Sequence, residues 1–423
     1  MPSGHGALWR KKMSTLVLKN ATIVTGTGAD PIPNGSVIVE GERIKEVIPG
    51  PPGMIPSDAV TVDCRHQTLL PGLIDAHVHV GAVDANIMEQ QRRNFGSLLI
   101  IRSLKVMQET LDQGFTTIRD AGGTDPGLRE AVKHGLVPGP RMFVAGCALS
   151  QTGGHGDFRL PTEVQSPAED LAGIATRVCD GVDEVRRGAR EQLRRGVDHL
   201  KVMAGGGAMS PSDEIDTSQY SLEELKAVVF EAQSAGTYVM AHVYSGRSIR
   251  NSIAAGIRSL EHGNLLDEES AQAIKNAGAF LVPTMVTYEM ISRMGKDLGI
   301  PDNNIRKINE ARERSLEAVT IAYRAGVKIA SGSDLLGPMQ CYKGMELELK
   351  SQVLGPMGAI IASTKTNAEL LRKEKDLGTV ETGKLADLIL IDGDPLKDIK
   401  LFQQYRDKIS FIMQGGRFYK NLL

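Results

Sequence analysis

The chain opens with short runs in which apolar and polar residues alternate. From Leu16 to about Leu70 it reads STLVLKNATIVTG and then NGSVIVEGERIKEVIPG, broken by ADPIPNG. Side chains of a strand point to opposite faces in turn, so period-two runs separated by Gly, Pro and Asn predict a small antiparallel sheet. The C-terminus returns to this pattern in ADLILIDGDPLKD and ISFIMQGGRFYK, where Gly415-Gly416 marks a hairpin turn. A two-stranded ribbon is marginal by itself. The economical expectation is one β-sandwich assembled from both termini, residues 13–70 and 367–423, with the middle inserted between them.

Residues 71–366 have another rhythm. Apolar, β-rich runs recur as GLIDAHVHV, FTTIRDAG, RMFVAG, DHLKVMAGGG, TYVMAHVYS, IRSLEHGN, AFLVPTM and VKIASGSD. Helical stretches such as SLEELKAVVFEAQSAG and DEESAQAIKNAG lie between them and run into Gly. Near-continuous apolar strands alternating with helices indicate a parallel sheet covered on both faces. The eight runs match the number that closes a (β/α)8 barrel. An open doubly wound sheet should show a glycine-rich phosphate turn after its first strand, and here that strand ends in HVHVGAVDAN. The expected class is α/β, a (β/α)8 TIM-like barrel with a small β-sandwich built from both termini.

Composition narrows the partners. Across 423 residues, 49 basic and 51 acidic side chains nearly cancel, so no electrostatic footprint for nucleic acid or an anionic membrane is expected. Aromatics at 4% are too sparse for a base-stacking platform. No apolar stretch approaches the ~18 residues that span a bilayer. The opening MPSGHGALWRKK lacks the apolar core of a secretion signal, and MSTLVLKNATIV from Met13 reads like a natural start. Cys64, Cys147, Cys179 and Cys341 lie far apart without a CxxC pair, as expected for a reduced, cytoplasmic protein.

Chemistry concentrates at the ends of the expected barrel strands, where barrel enzymes place their sites. His77 and His79 share one face of the first strand, with Asp75 two residues below. Strand four carries Lys201, strand five ends with His242, strand six with His262 and strand eight with Asp334. Only nine histidines exist in the chain, and four fall on this one rim. Four imidazoles and a carboxylate suffice for zinc or a related divalent ion with positions left open for water. Lys201 is the odd member, since a lysine among metal ligands would repel the ions. Burial favours its neutral amine, which can add carbon dioxide; the resulting carbamate is an anionic ligand able to bridge two metals.

These residues carry a resemblance. HVH, the strand-four lysine, two later single histidines and the strand-eight aspartate are similar to the metal-dependent amidohydrolase superfamily, as are PGLIDAHVH and GTVETGKLADLILIDGDPL. Within it, GGHGD, HVY, SLEHGN and SGSD resemble the imidazolonepropionase-like branch that includes Xaa-Pro dipeptidases and zinc carboxypeptidases acting on N-acyl amino acids. The match covers nearly the whole chain and implies a barrel, a β-sandwich and a hydrolytic binuclear site. True imidazolonepropionases and the aminohydrolase deaminases lack the bridging lysine, so Lys201 counts against both activities.

The expected ligands are therefore His77, His79, Lys201, His242, His262 and Asp334, with Asp334 also moving the proton from attacking water to the leaving amine. The expected cofactors are two divalent ions, zinc foremost, and carbon dioxide as the Lys201 carbamate. His155, in the glycine-flanked loop SQTGGHGDFR, and Tyr244, on the face of His242, are the candidates to bind a substrate carboxylate. The AGGGAMSPSDEID stretch after Lys201 is expected to be a flexible lid, and His199 to lie a layer deeper. The expected activity is release of a C-terminal amino acid from Xaa-Pro or N-acyl amino acid substrates by a homo-oligomer acting on small molecules. The alternatives are hydrolysis of a cyclic amide or lactone on the same metals, and a non-catalytic scaffold. A scaffold should have lost ligands, and all six are present.

Overall fold

The computed structural model describes residues 15–164 and 172–423. Residues 1–14, which include the expected start at Met13, lie outside them. The first strands are β1 (Thr15–Ile23), β2 (Ile32–Glu40), β3 (Arg43–Ile48), β4 (Val60–Asp63) and β5 (Thr68–Pro71). The middle of the chain supplies β6 (Leu73–Val78), β7 (Phe115–Asp120), β8 (Arg141–Val144), β9 (Ala148–Ser150) and β10 (Thr176–Val178). It continues with β11 (Leu200–Met203), β12 (Val239–Ser245), β13 (Ser259–Leu265), β14 (Phe280–Val282) and β15 (Lys328–Ile329). The last strands are β16 (Leu388–Ile391), β17 (Ile409–Gln414) and β18 (Arg417–Asn421).

The chain divides into two compact units, one of residues 1–75, 108–117 and 343–423 and one of residues 76–107 and 118–342. In the first, both termini share a single eight-stranded hydrogen-bonded sheet. The joint is β5, whose Leu69 and Leu70 pair antiparallel with Leu390 and Ile389 of β16. The apolar run LILI, at first sight unlike an amphipathic strand, has a simple cause. Leu388 and Leu390 enter one buried cluster with Leu16 and Leu18, while Ile389 and Ile391 enter another with Leu347 and Ile360. Both faces of β16 are covered, so alternation disappears from the sequence. The Gly415-Gly416 hairpin joins β17 and β18 as expected, with Gln414 opposite Arg417. Asp75 pairs with Lys343 at 3.2 Å, both of them buried.

In the second unit, β9 to β15 build a seven-stranded parallel sheet in the order β10-β9-β11-β12-β13-β14-β15; β6-β7-β8 form a second sheet, of which residues 76–78, 118–120 and β8 fall in this unit. The expected eight runs are all strands, and β9 and β10 are additional. Backbone bonds outside these ladders run from Ala76 N to Ser331 O and from Asp198 N to Val144 O, each 2.8 Å. The connecting helices are set by local chemistry. Ser221 and Glu224 form a reciprocal capping box at the start of Leu222–Ser234. Glu268–Ala277 starts on Asp267 and stops at Gly278, whose φ of 63° ends the helix at no steric cost. No helix among the described residues is long and apolar enough to cross a membrane.

The stretch after Lys201 differs from the flexible lid expected of its glycines. Lys307, on the helix Asp302–Ala325, donates to the carbonyls of Gly207, Ser210 and Asp213 at 3.0, 2.9 and 2.9 Å. Asn304 adds a bond to Ala208 O at 2.7 Å. A buried ammonium satisfied by three carbonyls ties the loop at three points.

Gly332 shows how closely the strands bearing the site approach. A Cβ there would lie 2.5 Å from His77 Cβ and 2.7 Å from Val282 Cγ1. Gly332→Ala should therefore lower unfolding stability by about 1–3 kcal/mol, the usual cost of overpacking. Urea melts of the two proteins measure it, and an unchanged midpoint would mean that the backbones have more room than this.

Candidate active site

Every residue of the site lies in the second unit, and strand periodicity aims most of them. On β12 the inward positions are Met240, His242 and Tyr244, and His242 stands level with Met203 of β11 and Glu261 of β13. Lys201 is two residues before Met203 and faces the same way. The result is a cavity bounded by His77, His79, Lys201, His242, His262 and Asp334. Apolar side chains, among them Ile87, Met209, Ile291, Ile308 and Leu336, close the remainder. His155 and Tyr244 line it as well.

His77, His79 and Asp334 form the tightest group, with ligand atoms within 4.8 Å of one another. Asp334 Oδ1 lies 3.5 Å from His77 Nε2 and 3.4 Å from His79 Nε2. The opposite ring nitrogens are held from behind, His77 Nδ1 by Glu261 Oε2 at 2.7 Å and His79 Nδ1 by the Gly122 carbonyl at 2.8 Å. Each acceptor takes the Nδ1 proton and turns the Nε2 lone pair towards Asp334, the arrangement that a metal-binding imidazole requires. His262 places Nδ1 2.8 Å from Thr284 Oγ1, and its ring is 4.9 Å from that of His77 and 4.5 Å from that of His242. His242 Nε2 lies 3.0 Å from the Gly206 carbonyl, so Nδ1 is its remaining donor atom. These donors suit a divalent cation, although His242, His262 and Lys201 stand outside the three-residue group.

The electrostatics agree with that use. Burial, reinforced by the charge of Lys201, holds His77 well below the usual histidine range, and burial does the same to His242 and His262. His79 is lowered to about 4, burial again being the main cause. The rings are neutral at pH 7 and their lone pairs available. Lys201 is 2% exposed, and burial lowers it to about 8 against the pull of Glu261 and Asp334.

His155 is half-buried, stacks on His242 at 4.1 Å, and places Nδ1 2.9 Å from Ser210 Oγ. Burial lowers it to about 3, so it meets a ligand as a neutral ring. The Tyr244 hydroxyl accepts a hydrogen bond from Tyr288 at 3.0 Å, a partner that sequence reading missed. His199 does lie deeper, fully buried and stacked on Tyr238 at 5.6 Å. His66 and His134 are exposed.

Sequence reading also missed Glu261 and Arg119. Arg119 Nη2 meets both oxygens of Glu261 at 2.9 and 3.0 Å, and both side chains are fully buried. Glu261 precedes His262, and consecutive strand residues normally face opposite ways. His262 breaks the rule with φ of 72°, which lets both neighbours serve the same interior. The signal available was weak: a glutamate inside the apolar run SLEHGN.

Comparison with known proteins matches this geometry. The amidohydrolase family model covers residues 68–417. Ochratoxinase from Aspergillus niger is 32% identical over 413 residues, spanning 94% of this chain and 85% of that protein. Among solved structures, a prolidase complexed with N-methylphosphonate-L-proline superposes with a TM-score of 0.93 at 40% identity, covering 96% of this chain and all of that one (100%). A Xaa-Pro dipeptidase with bound methionine in its active site gives 0.86 at 28% identity, covering 96% of this chain and 100% of that one. With the paired imidazoles at the end of β6, the aspartate following β15, and a match across most of its length, this chain belongs to the amidohydrolase family and is an amide-bond hydrolase.

Proposed function

We propose that the enzyme is a binuclear metal hydrolase that releases a C-terminal amino acid from Xaa-Pro dipeptides or N-acyl amino acids. The observation carrying this reading is the convergence of His77, His79, Lys201, His242, His262 and Asp334 on one cavity that also contains Tyr244 and His155. The names of the structural relatives, a prolidase and a Xaa-Pro dipeptidase, support the substrate class. The six residues are the ones that would hold the ions, Lys201 as its carbamate; a lysine lowered to about 8 keeps an appreciable neutral fraction to add carbon dioxide. Two divalent ions bound there, zinc by the imidazole-rich donor set, would supply a hydroxide nucleophile and polarise the scissile carbonyl.

The chain's own groups do the rest. Asp334 accepts the proton of the attacking water on its carboxylate and returns it to the leaving nitrogen, which an amide needs in order to depart. Tyr244 donates a hydrogen bond to the free carboxylate of the substrate, with the neutral His155 beside it. Fixing that carboxylate sets the adjacent carbonyl in place and removes part of the entropic barrier. The apolar wall of Ile87, Met209, Ile291 and Ile308 excludes water from the remainder.

The proposal extends to architecture and setting. A closed (β/α)8 barrel of residues 71–366, flanked by a β-sandwich of 13–70 and 367–423, is supported by the two backbone bonds at Ala76 and Asp198, which run between the two sheets of the second unit. The compact units differ from that division at residues 71–75, 108–117 and 343–366, which group with the terminal sheet. Four free cysteines suit a cytoplasmic protein. A homo-oligomer acting on small molecules, without nucleic acid or membrane partners, completes the reading.

Three outcomes are expected. Elemental analysis of active enzyme should give about two divalent ions per chain, the number such a donor set holds, and His77→Ala should lose metal and activity together; one ion or none in active protein would sink the binuclear site. Lys201→Ala should be inactive and partly restored by a short carboxylic acid that takes the place of the carbamate, whereas full activity without it would make Lys201 structural. An N-acyl amino acid should be cleaved faster than its C-terminal amide, and Tyr244→Phe should cost the free acid about 1–3 kcal/mol in kcat/KM. Equal cleavage of acid and amide by the wild type would put cyclic-amide or lactone hydrolysis ahead.

A further inference from the structure

Thr284, immediately before the helix Met285–Met294, is fully buried with φ 45° and ψ 48°. A β-branched residue persists in that left-handed conformation only where its surroundings over-determine it. Its hydroxyl lies 2.8 Å from His262 Nδ1, at the start of the helix that carries Tyr288. Tyr288 donates to the hydroxyl oxygen of Tyr244 at 3.0 Å. Tyr288 and Tyr244 are both buried and both line the cavity.

Each hydroxyl carries a single proton. The Tyr288 proton goes to the bond with Tyr244. Tyr244 has its own proton left, and the direction open to it is the cavity. A phenol that already accepts one hydrogen bond is polarised into a stronger donor.

We propose that Tyr288 is a positioning residue that holds Tyr244 as an obligate hydrogen-bond donor and thereby sets the preference for a free carboxylate over a C-terminal amide. The proposal rests on the carboxylate-directed reading given above. A carboxylate only accepts hydrogen bonds, and a fixed donor suits it. A phenol free to turn could also accept from the NH2 group of an amide, and the discrimination would fall.

The experiment is the ratio of kcat/KM for an N-acyl amino acid to that for its amide, in wild type, Tyr244→Phe and Tyr288→Phe. Tyr288→Phe should lower the ratio about tenfold, the effect of losing one hydrogen bond to a charge. The loss should come through KM for the acid. A merely structural role would lower the melting temperature without moving the ratio. If Tyr244→Phe lowers the ratio and Tyr288→Phe does not, the positioning role is wrong while the carboxylate reading stands; if the wild type shows no preference at all, the carboxylate reading itself falls.

Discussion

Glu261 takes a hydrogen bond from His77 Nδ1 and two from Arg119, and Ser259 adds a fourth at 2.5 Å. None of these groups meets solvent. Arg119 also donates from Nε to the Ala76 carbonyl at 2.6 Å, so one guanidinium grips both the carboxylate and the strand that carries His77. A buried charge pair of this kind contributes little net stability against an apolar alternative, yet removing one partner costs about 3–5 kcal/mol because the other charge is left stranded. What the network provides is definition. With a carboxylate behind it, His77 has one tautomer and one ring orientation, and the Nε2 atoms of His77 and His79 meet at the same oxygen of Asp334.

The rest of the site depends on a second cost carried by the backbone. His262, Thr284 and Asp334 all adopt positive φ, at 72°, 45° and 52°. Each such residue costs on the order of 1–3 kcal/mol, and such residues gather where function demands an awkward direction. Here each serves a definable purpose. At His262 the turn brings an imidazole onto the side that Glu261 already occupies; at Thr284 it delivers a hydroxyl to that imidazole; at Asp334 it accompanies a backbone bond from its N–H to the His77 carbonyl at 2.8 Å. The packed α/β scaffold supplies the stability that offsets this strain.

Desolvation joins the two themes. The imidazoles crowd within ring-centroid distances of 4.1 to 5.4 Å along the series His155, His242, His262, His77 and His79. In water such a cluster would repel on protonation; in this cavity burial keeps the rings neutral, and the same burial lowers Lys201. One cause, exclusion of water, thus disfavours the charged form of the imidazoles and of the amine at once.

The sequence by itself determined the succession of strands and helices and most of the residues that line the cavity, because strand ends and period two leave local marks. HVH places two imidazoles on one face, and HVY does the same for His242 and Tyr244. Single residues after apolar runs located Lys201, His262 and Asp334. The tertiary structure alone decided what stands behind them. Glu261 and Arg119 meet across 142 residues of chain, and His262 meets Thr284 only because a left-handed residue departs from the strand pattern. The loop after Lys201 looked free because its glycines are local, whereas Lys307, which ties it, comes about a hundred residues later. Local periodicity records which way a side chain faces; the partner it meets there is fixed by packing between segments far apart in the chain, and no short stretch of sequence holds that information.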